Sequence, residues 1–227
     1  MGRQPQRRRL PEQAQRLESG ARLNPLATDA PLTLSGSDFI KLCKDVRART
    51  DEHRFAHAIR VARMAERLAS LYGVSTLKAR VAGVLHDVAR LWKPQAAFAY
   101  AQSHGLPVSD VARAAPVLMH AAIGAEIARC EFGIEDRDVL GAIAHHTVAE
   151  MGMSDLEKIV YVADSIEPGR KFPQRAELEA AAFRSLDEGL YASVRASMDH
   201  LTARRVAVAQ ETLELYEDMM KRYGDAS

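Results

Sequence analysis

The chain lacks most of the features that give a quick functional reading. It has two cysteines, Cys43 and Cys130. That is too few for a disulfide framework or a thiolate zinc site, and the usage suits a reducing compartment. Its apolar runs are a few residues long, far short of the roughly 20 needed to span a bilayer. No apolar stretch follows the N-terminal arginines Arg3, Arg7, Arg8, Arg9 and Arg16, which argues against a secretory signal. We therefore expect a cytoplasmic protein with no membrane partner. An excess of one charge is also missing: 31 Lys+Arg stand against 30 Asp+Glu, a net +1. As descriptions of the whole chain, a strongly basic nucleic-acid binder and an acidic disordered protein are both excluded. Aromatic residues make up only 6%, and Gly (13) and Pro (9) are modest. What is present is 227 residues, 47% of them hydrophobic, enough for one domain with a sizeable core.

The near-zero charge hides an uneven distribution. Residues 1–36 carry six Arg against Glu12, Glu18 and Asp29, with Pro5, Pro11, Pro25 and Pro31 among them. Taking that +3 from the chain's +1 leaves the body at −2. Nothing aromatic or periodic accompanies the arginines, so a loosely attached or disordered extension is favoured over a nucleic-acid arm. Residues 37–227 read as one domain.

From Ser37 the signals are helical. Ser37 or Asp38 can cap a helix over Phe39–Thr50, and Asp51 one that runs to Leu71 and stops at Gly73. Ser75 opens a third, predicted to reach about Leu91 before Pro94. Further stretches fit Gln95–Ser103, Ala115–Cys130, Glu135–His146 and Ser154–Ile166, the last stopped by Pro168 and Gly169. A long helix or helix pair covers Arg175–Tyr223, with the stripe Phe183, Leu186, Leu190, Val194, Met198, Leu201 stepping by three or four. No stretch alternates convincingly as a strand. The fold class is all-α, a single helical bundle.

Several polar residues fall on faces these helices should bury. His57 shares a stripe with Val61, Met64, Leu68 and Leu71, while Asp87 lies between Val84 and Leu91 with His86 beside it. His120 aligns with Gly124 and Ile127, His146 with Val139 and Ile143, and Asp164 with Val160. Any one of them is read most simply as a core residue satisfied by a local hydrogen bond. Together they carry more, because each uncompensated buried ionisable group costs several kcal/mol, and convergence on one charge centre relieves that cost. Imidazoles and carboxylates without thiolates form a ligand set for iron, manganese, cobalt, zinc or nickel. Six ligands exceed what one catalytic ion takes and suit two ions about 3.5–4 Å apart that clamp a phosphoryl group. The chemistry favours a metallohydrolase of phosphate esters or anhydrides. A helical interaction module with a structural or lost metal centre is the non-enzymatic alternative.

His57 in Arg54-Phe55-Ala56-His57, His86-Asp87 in AGVLHDVAR, His120 in APVLMHAAIGAEIA, His146-Thr147, and Asp164 in YVADSIEPGRKFP together resemble the HD-domain metallophosphohydrolases. Within them the chain resembles the YqeK-type symmetrical bis(5′-nucleosyl)-tetraphosphatases, over about Phe39 to Leu201. The resemblance implies an HD-domain helical fold holding two divalent or mixed-valence ions, iron foremost, with Mn, Co, Zn, Ni or Mg as alternatives. It implies His57, His86, Asp87, His120, His146 and Asp164 as ligands, Asp87 bridging the ions. The implied reaction converts diadenosine tetraphosphate into two ADP through a metal-bridging hydroxide. The partner would thus be a small dinucleoside polyphosphate, with nucleic acid disfavoured; a homodimer stays open.

Several positions depart from the family's pattern. Arg90 replaces a common Lys and Val88 a Tyr-like residue. Thr147-Val148-Ala149-Glu150 replaces Thr-Thr-Gly and a basic residue, and His145 an aromatic one. The Val148–Glu150 change keeps a second substrate reading open: a nucleoside mono- or triphosphate, or a cyclic dinucleotide. Asp87 and the candidate phosphate holders Arg90 and Arg170 form the expected catalytic group, and Arg54, Arg90, Thr147 and Arg170 the expected substrate contacts. Lys93 and Lys171 are weaker candidates. Cys43 and Cys130 are expected to pack, His145 to lie behind the ligands or in solvent, and His53, His104 and His200 to be solvated.

Overall fold

Helix starts follow side-chain chemistry along the chain. In the computed structural model, which describes residues 32–224, Ser35 caps helix α1 (Gly36–Arg49) in a capping box closed by Asp38. The cap is therefore earlier than expected, because Asp38 is the N3 member of the box. Asp51 caps α2 (Glu52–Leu71) by accepting from the Arg54 N–H at 2.6 Å, and Gly73 supplies the left-handed turn after it. Ser75 caps α3 (Thr76–Leu85). Then follow α4 (Pro94–Ser103), α5 (Asp110–Ala114), a 3-10 turn at Pro116–Leu118, and α6 (Met119–Phe132). The chain closes with α7 (Arg137–Ala144), α8 (Asp155–Ile166), α9 (Arg175–Arg184), α10 (Leu186–Ala203) and α11 (Gln210–Tyr223). The fold is all-α, with no strand among the described residues. Most of the N-terminal extension, residues 1–31, lies outside them. No described helix is long and apolar enough to cross a membrane.

Four further expected boundaries are corrected. The third helix stops at Leu85, not near Leu91, and continues as tight turns whose bonds are Val88 N–H to Leu85 O, Arg90 N–H to Asp87 O and Trp92 N–H to Ala89 O. The stretch predicted as Ala115–Cys130 begins instead as a 3-10 turn, since Pro116 has no N–H and disfavours helical backbone at Ala115. The next helix ends at Ala144, short of His146, with Asp136 as its cap. The C-terminal helix or pair is three helices, broken where Ser185 adopts extended backbone and caps α10 and again between Ala203 and Gln210. The stripe from Phe183 to Leu201 therefore spans two helices.

The core lies between α2, α3, α7 and α8, which pack on one another. Val61, Leu68, Leu85, Ile143, Ile159 and Ile166 are fully buried there, each contributing about 1.5–3 kcal/mol. Helices α2 and α3 approach so closely that a Cβ on Gly83 would lie 2.6 Å from Ala62 Cα. This contact sets α3, and the His86-Asp87 turn at its end, hard against α2.

Candidate metal centre

The structure brings the six predicted ligands together in the middle of this frame. His57, His86, Asp87, His120 and His146 are buried, and Asp164 is 22% exposed. Donor atoms of five of them form two overlapping groups, His57–His86–Asp164 and His86–Asp87–His146, and His120 joins the second through Asp87 Oδ1 and His146 Nε2. Asp87 faces both sides. Its Oδ2 lies 3.6 Å from His57 Nε2 and 3.4 Å from His86 Nε2. Its Oδ1 lies 3.0 Å from His120 Nε2 and 3.7 Å from His146 Nε2. Asp164 Oδ1 completes the first side, 3.0 Å from His57 Nε2.

Every one of the four rings has its Nδ1 engaged, which leaves Nε2 for the centre. His86 Nδ1 donates to Gly83 O at 2.8 Å, His146 Nδ1 to Ile143 O at 2.7 Å, and His120 Nδ1 to Val117 O. A carbonyl only accepts, so the proton sits on Nδ1 in each. The carbonyls of Gly83 and Ile143 belong to last helical turns, where the ordinary backbone partner is missing. His86 occupies the place where the α-ladder gives way to tight turns, which is why α3 ends early. His57 has no such carbonyl, being inside α2. Its Nδ1 meets Glu167 Oε1 at 3.1 Å. Glu167 in turn accepts from Arg60 Nε and from the Gly169 N–H, both at 2.5 Å.

The electrostatics fit a cation. Burial alone would raise the Asp87 carboxyl, but His86, His120 and His146 outweigh it and hold the group far below the usual range. Burial likewise opposes ionisation of Asp164, and His57, Arg170 and His86 overcome it. Burial pushes the His146 imidazole down to about 4, with the facing His86 and His120 rings adding to the effect. His146 is thus neutral, and its Nε2 lies 3.0 Å from that of His120. Two ring nitrogens that close repel unless a proton or a cation lies between them. The Nε2 atoms of His57 and His86 are buried with no hydrogen-bond partner, a costly state for polar atoms in a protein interior. Four imidazole nitrogens and two carboxylates of this kind match divalent metals of mixed N/O preference.

The other predicted contacts fall unevenly. Arg54 Nη1 donates to Asp87 Oδ2 at 2.7 Å, while its Nε is buried without a partner. Arg90 is half-buried on the turn after Asp87, its N–H donating to Asp87 O, and makes no ion pair among the described residues. Arg170, 39% exposed, is folded back on Asp164, donating to both its carboxylate and its backbone oxygen. Thr147 is half-buried next to His146. Lys93 and Lys171 are exposed, as are His53, His104 and His200. His145 lies behind the cluster, its Nδ1 on Glu157 at 2.5 Å and its Nε2 3.7 Å from Glu150. Cys43 is half-buried, but Cys130 is exposed, with Glu126 beside its thiol, so it does not pack. Sequence reasoning passed over Glu167 and Arg60. The signal available was their spacing: each lies three residues after a candidate ligand, Asp164 and His57.

Comparison with known proteins shows the family and the fold. The family model described as HD domain matches residues 54–169, a span that holds all six residues. A symmetrical bis(5′-nucleosyl)-tetraphosphatase of Bacillus subtilis is 33% identical over 75% of this chain and 91% of its own length. That of Halalkalibacterium halodurans is 34% identical over 77% and 93%. A crystal structure from Clostridium acetobutylicum, of a predicted HD superfamily hydrolase involved in NAD metabolism, superposes with a TM-score of 0.77. It is 33% identical, and the match covers 81% of this chain and 97% of that one. The chain belongs to the HD-domain family, in the branch that contains the symmetrical bis(5′-nucleosyl)-tetraphosphatases.

Proposed function

We propose that the protein hydrolyses dinucleoside tetraphosphates symmetrically, diadenosine tetraphosphate and water yielding two ADP, at a centre of two divalent or mixed-valence metal ions. The observation that carries this reading is Asp87, whose two oxygens face different histidines. His57, His86 and Asp164 would hold one ion, His120 and His146 the other, with Asp87 between them. Iron is the first candidate, and Mn, Co, Zn, Ni or Mg can take N/O sites of this kind. When bound, the ions supply the ionised water that attacks and the positive charge that meets the phosphates.

The protein's own groups do the rest. A body of net −2 must bind a polyanion through local cations. Arg54, with its unpartnered Nε and its bond to Asp87, and Arg90, three residues after Asp87, would take phosphate oxygens. Arg170, which donates to Asp164, would be a further cation for the phosphates beside a carboxylate that would hold a metal. Thr147 offers a hydroxyl at the His146 end. No side-chain nucleophile is required, so neither cysteine takes part. Cytoplasmic residence belongs to the same reading.

The test is anaerobic purification with elemental analysis, then product identification from diadenosine tetraphosphate. Two ions per chain and ADP as the only nucleotide product are expected; AMP plus ATP overturns symmetrical cleavage. Glu150 favours a second reading, hydrolysis of another nucleotide, because it places a carboxylate near the His146 wall. Burial raises that carboxyl, and His145 offsets part of its charge. A nucleotide panel with Mn²⁺ or Fe²⁺ separates the two readings. No hydrolysis of any phosphoanhydride with metal supplied leaves the interaction module.

A further inference from the structure

Beyond the six candidate ligands, one buried assembly has no task in the reaction described above. Glu167 follows α8 directly and is 1% exposed, yet it is a carboxylate. Four donors converge on it: His57 Nδ1, Arg60 Nε and Nη2, and the Gly169 N–H. The arrangement is built from two short spacings that face each other where α2 packs on α8. On α2, His57 and Arg60 are three apart and share a face; at the end of α8, Asp164 and Glu167 are three apart and do the same. His57 meets both carboxylates, Asp164 through Nε2 at 3.0 Å and Glu167 through Nδ1 at 3.1 Å. Gly169 completes the enclosure, because a Cβ there would lie 2.6 Å from the Arg60 guanidinium carbon. A side chain at that position would displace Arg60 from Glu167.

We infer that Glu167, held by Arg60 and Gly169, is a positioning residue that sets the tautomer and angle of His57. The inference rests on the metal-centre reading above. Glu167 does not touch the central atoms; it acts through His57. An acceptor on Nδ1 forces the proton there and leaves the Nε2 lone pair for a metal, and such partners are worth about 10- to 100-fold in metal affinity. A neutral amide cannot replace it. Glutamine offers one acceptor oxygen to four donors and turns its own NH₂ towards some of them. Loss of Glu167 should therefore weaken the ion on the His57–Asp164 side and spare the ion between His120 and His146, whose rings depend on backbone carbonyls.

The experiment compares full-length wild type, Glu167→Gln, His57→Ala and the double variant. Each is purified anaerobically, analysed for metal content, and titrated with Mn²⁺ alone by electron paramagnetic resonance. In Glu167→Gln one ion should bind about 10- to 100-fold more weakly and the second as in wild type, with the helical circular dichroism retained and the unfolding temperature lowered, because donors on the buried site lose their acceptor. In the His57→Ala background the same substitution should change nothing further, since its effect passes through the ring. Arg60→Met, which leaves the carboxylate in place, should weaken the same ion by less. Wild-type affinity for both ions in Glu167→Gln, or further weakening in the His57→Ala background, overturns the inference alone. A wild-type protein that binds no pair of ions overturns the metal reading and this inference with it.

Discussion

His86, His120 and His146 are aimed by carbonyls three residues earlier in their own segments. His57 is aimed by a carboxylate 110 residues away. The difference follows from position along a helix. Near a helix end or a 3-10 junction, a carbonyl is free to accept from a ring, so local backbone orients the side chain. Inside a helix every carbonyl already serves the ladder, and the ring must find a tertiary partner. The His120–His146 side of the cluster therefore inherits its geometry from where helices stop, and so does His86 within the other side. His57 depends on α2 and α8 packing correctly and on a buried charge network.

Breaking the residue common to both sides should have the largest effect. Asp87→Ala is expected to remove both ions and to lower turnover by at least about 10³-fold, read by elemental analysis and by ADP release from diadenosine tetraphosphate. Near-normal metal content with normal activity would sink the two-sided description. Next, the sides can be broken singly. His120→Ala and His57→Ala should each leave one ion per chain and suppress turnover; loss of both ions from either would show that the sides are not separable.

A smaller effect tests, through packing, the one carbonyl-aimed ring on the His57 side, His86. Gly83→Ala puts a methyl group 2.6 Å from Ala62 Cα, so α3 must move away from α2. A destabilisation of about 1–3 kcal/mol is expected, read in thermal unfolding, and metal affinity should fall as His86 shifts with Gly83. Unchanged stability would show that the helices separate freely there.

The smallest expected effect concerns the pair behind the cluster, His145 and Glu157. Burial would lower His145, but Glu157 and Glu150 raise it. Burial would raise Glu157, but His145 and the Ser154 cap lower it. A raised histidine stabilises fully below its ordinary value near 6.5 and loses this as pH rises through the raised one. A lowered glutamate stabilises fully above its ordinary value near 4.3 and loses this as pH falls through the lowered one. The contribution is complete between about pH 4.5 and 6.5. Replacing His145 with Gln should cost under about 3 kcal/mol in that window and less at pH 8. A constant difference across the range would show that the pair carries no charge.

Much of this was legible in the residues. Helical spacing put His57, His86, Asp87, His120, His146 and Asp164 on buried faces, and capping residues such as Asp51, Ser75 and Ser154 marked helix starts. The helix ends were less legible. Nothing in the pattern around His86 separates a helix continuing to Leu91 from one that hands its carbonyl to a ring. Arg60 and Glu167 were passed over because a charged residue three places from a ligand reads as solvated until the facing helix is known. Arg170 and Arg54 could be named as cations near the site, but not as the present partners of Asp164 and Asp87.

The sequence by itself therefore determined an all-helical chain, a neutral total charge made of unequal parts, and a set of imidazoles and carboxylates too costly to bury singly. Local propensity, caps and periodicity are short-range, so they can be read along the chain. Only tertiary structure decided which oxygen of Asp87 faces which histidine, that His57 leans on Glu167, and that the arginines close on carboxylates. Apart from His86–Asp87 and Arg170–Asp164, those contacts join residues at least 30 apart in sequence, and helix packing, such as that of α2 against α3 and α8, sets their distances.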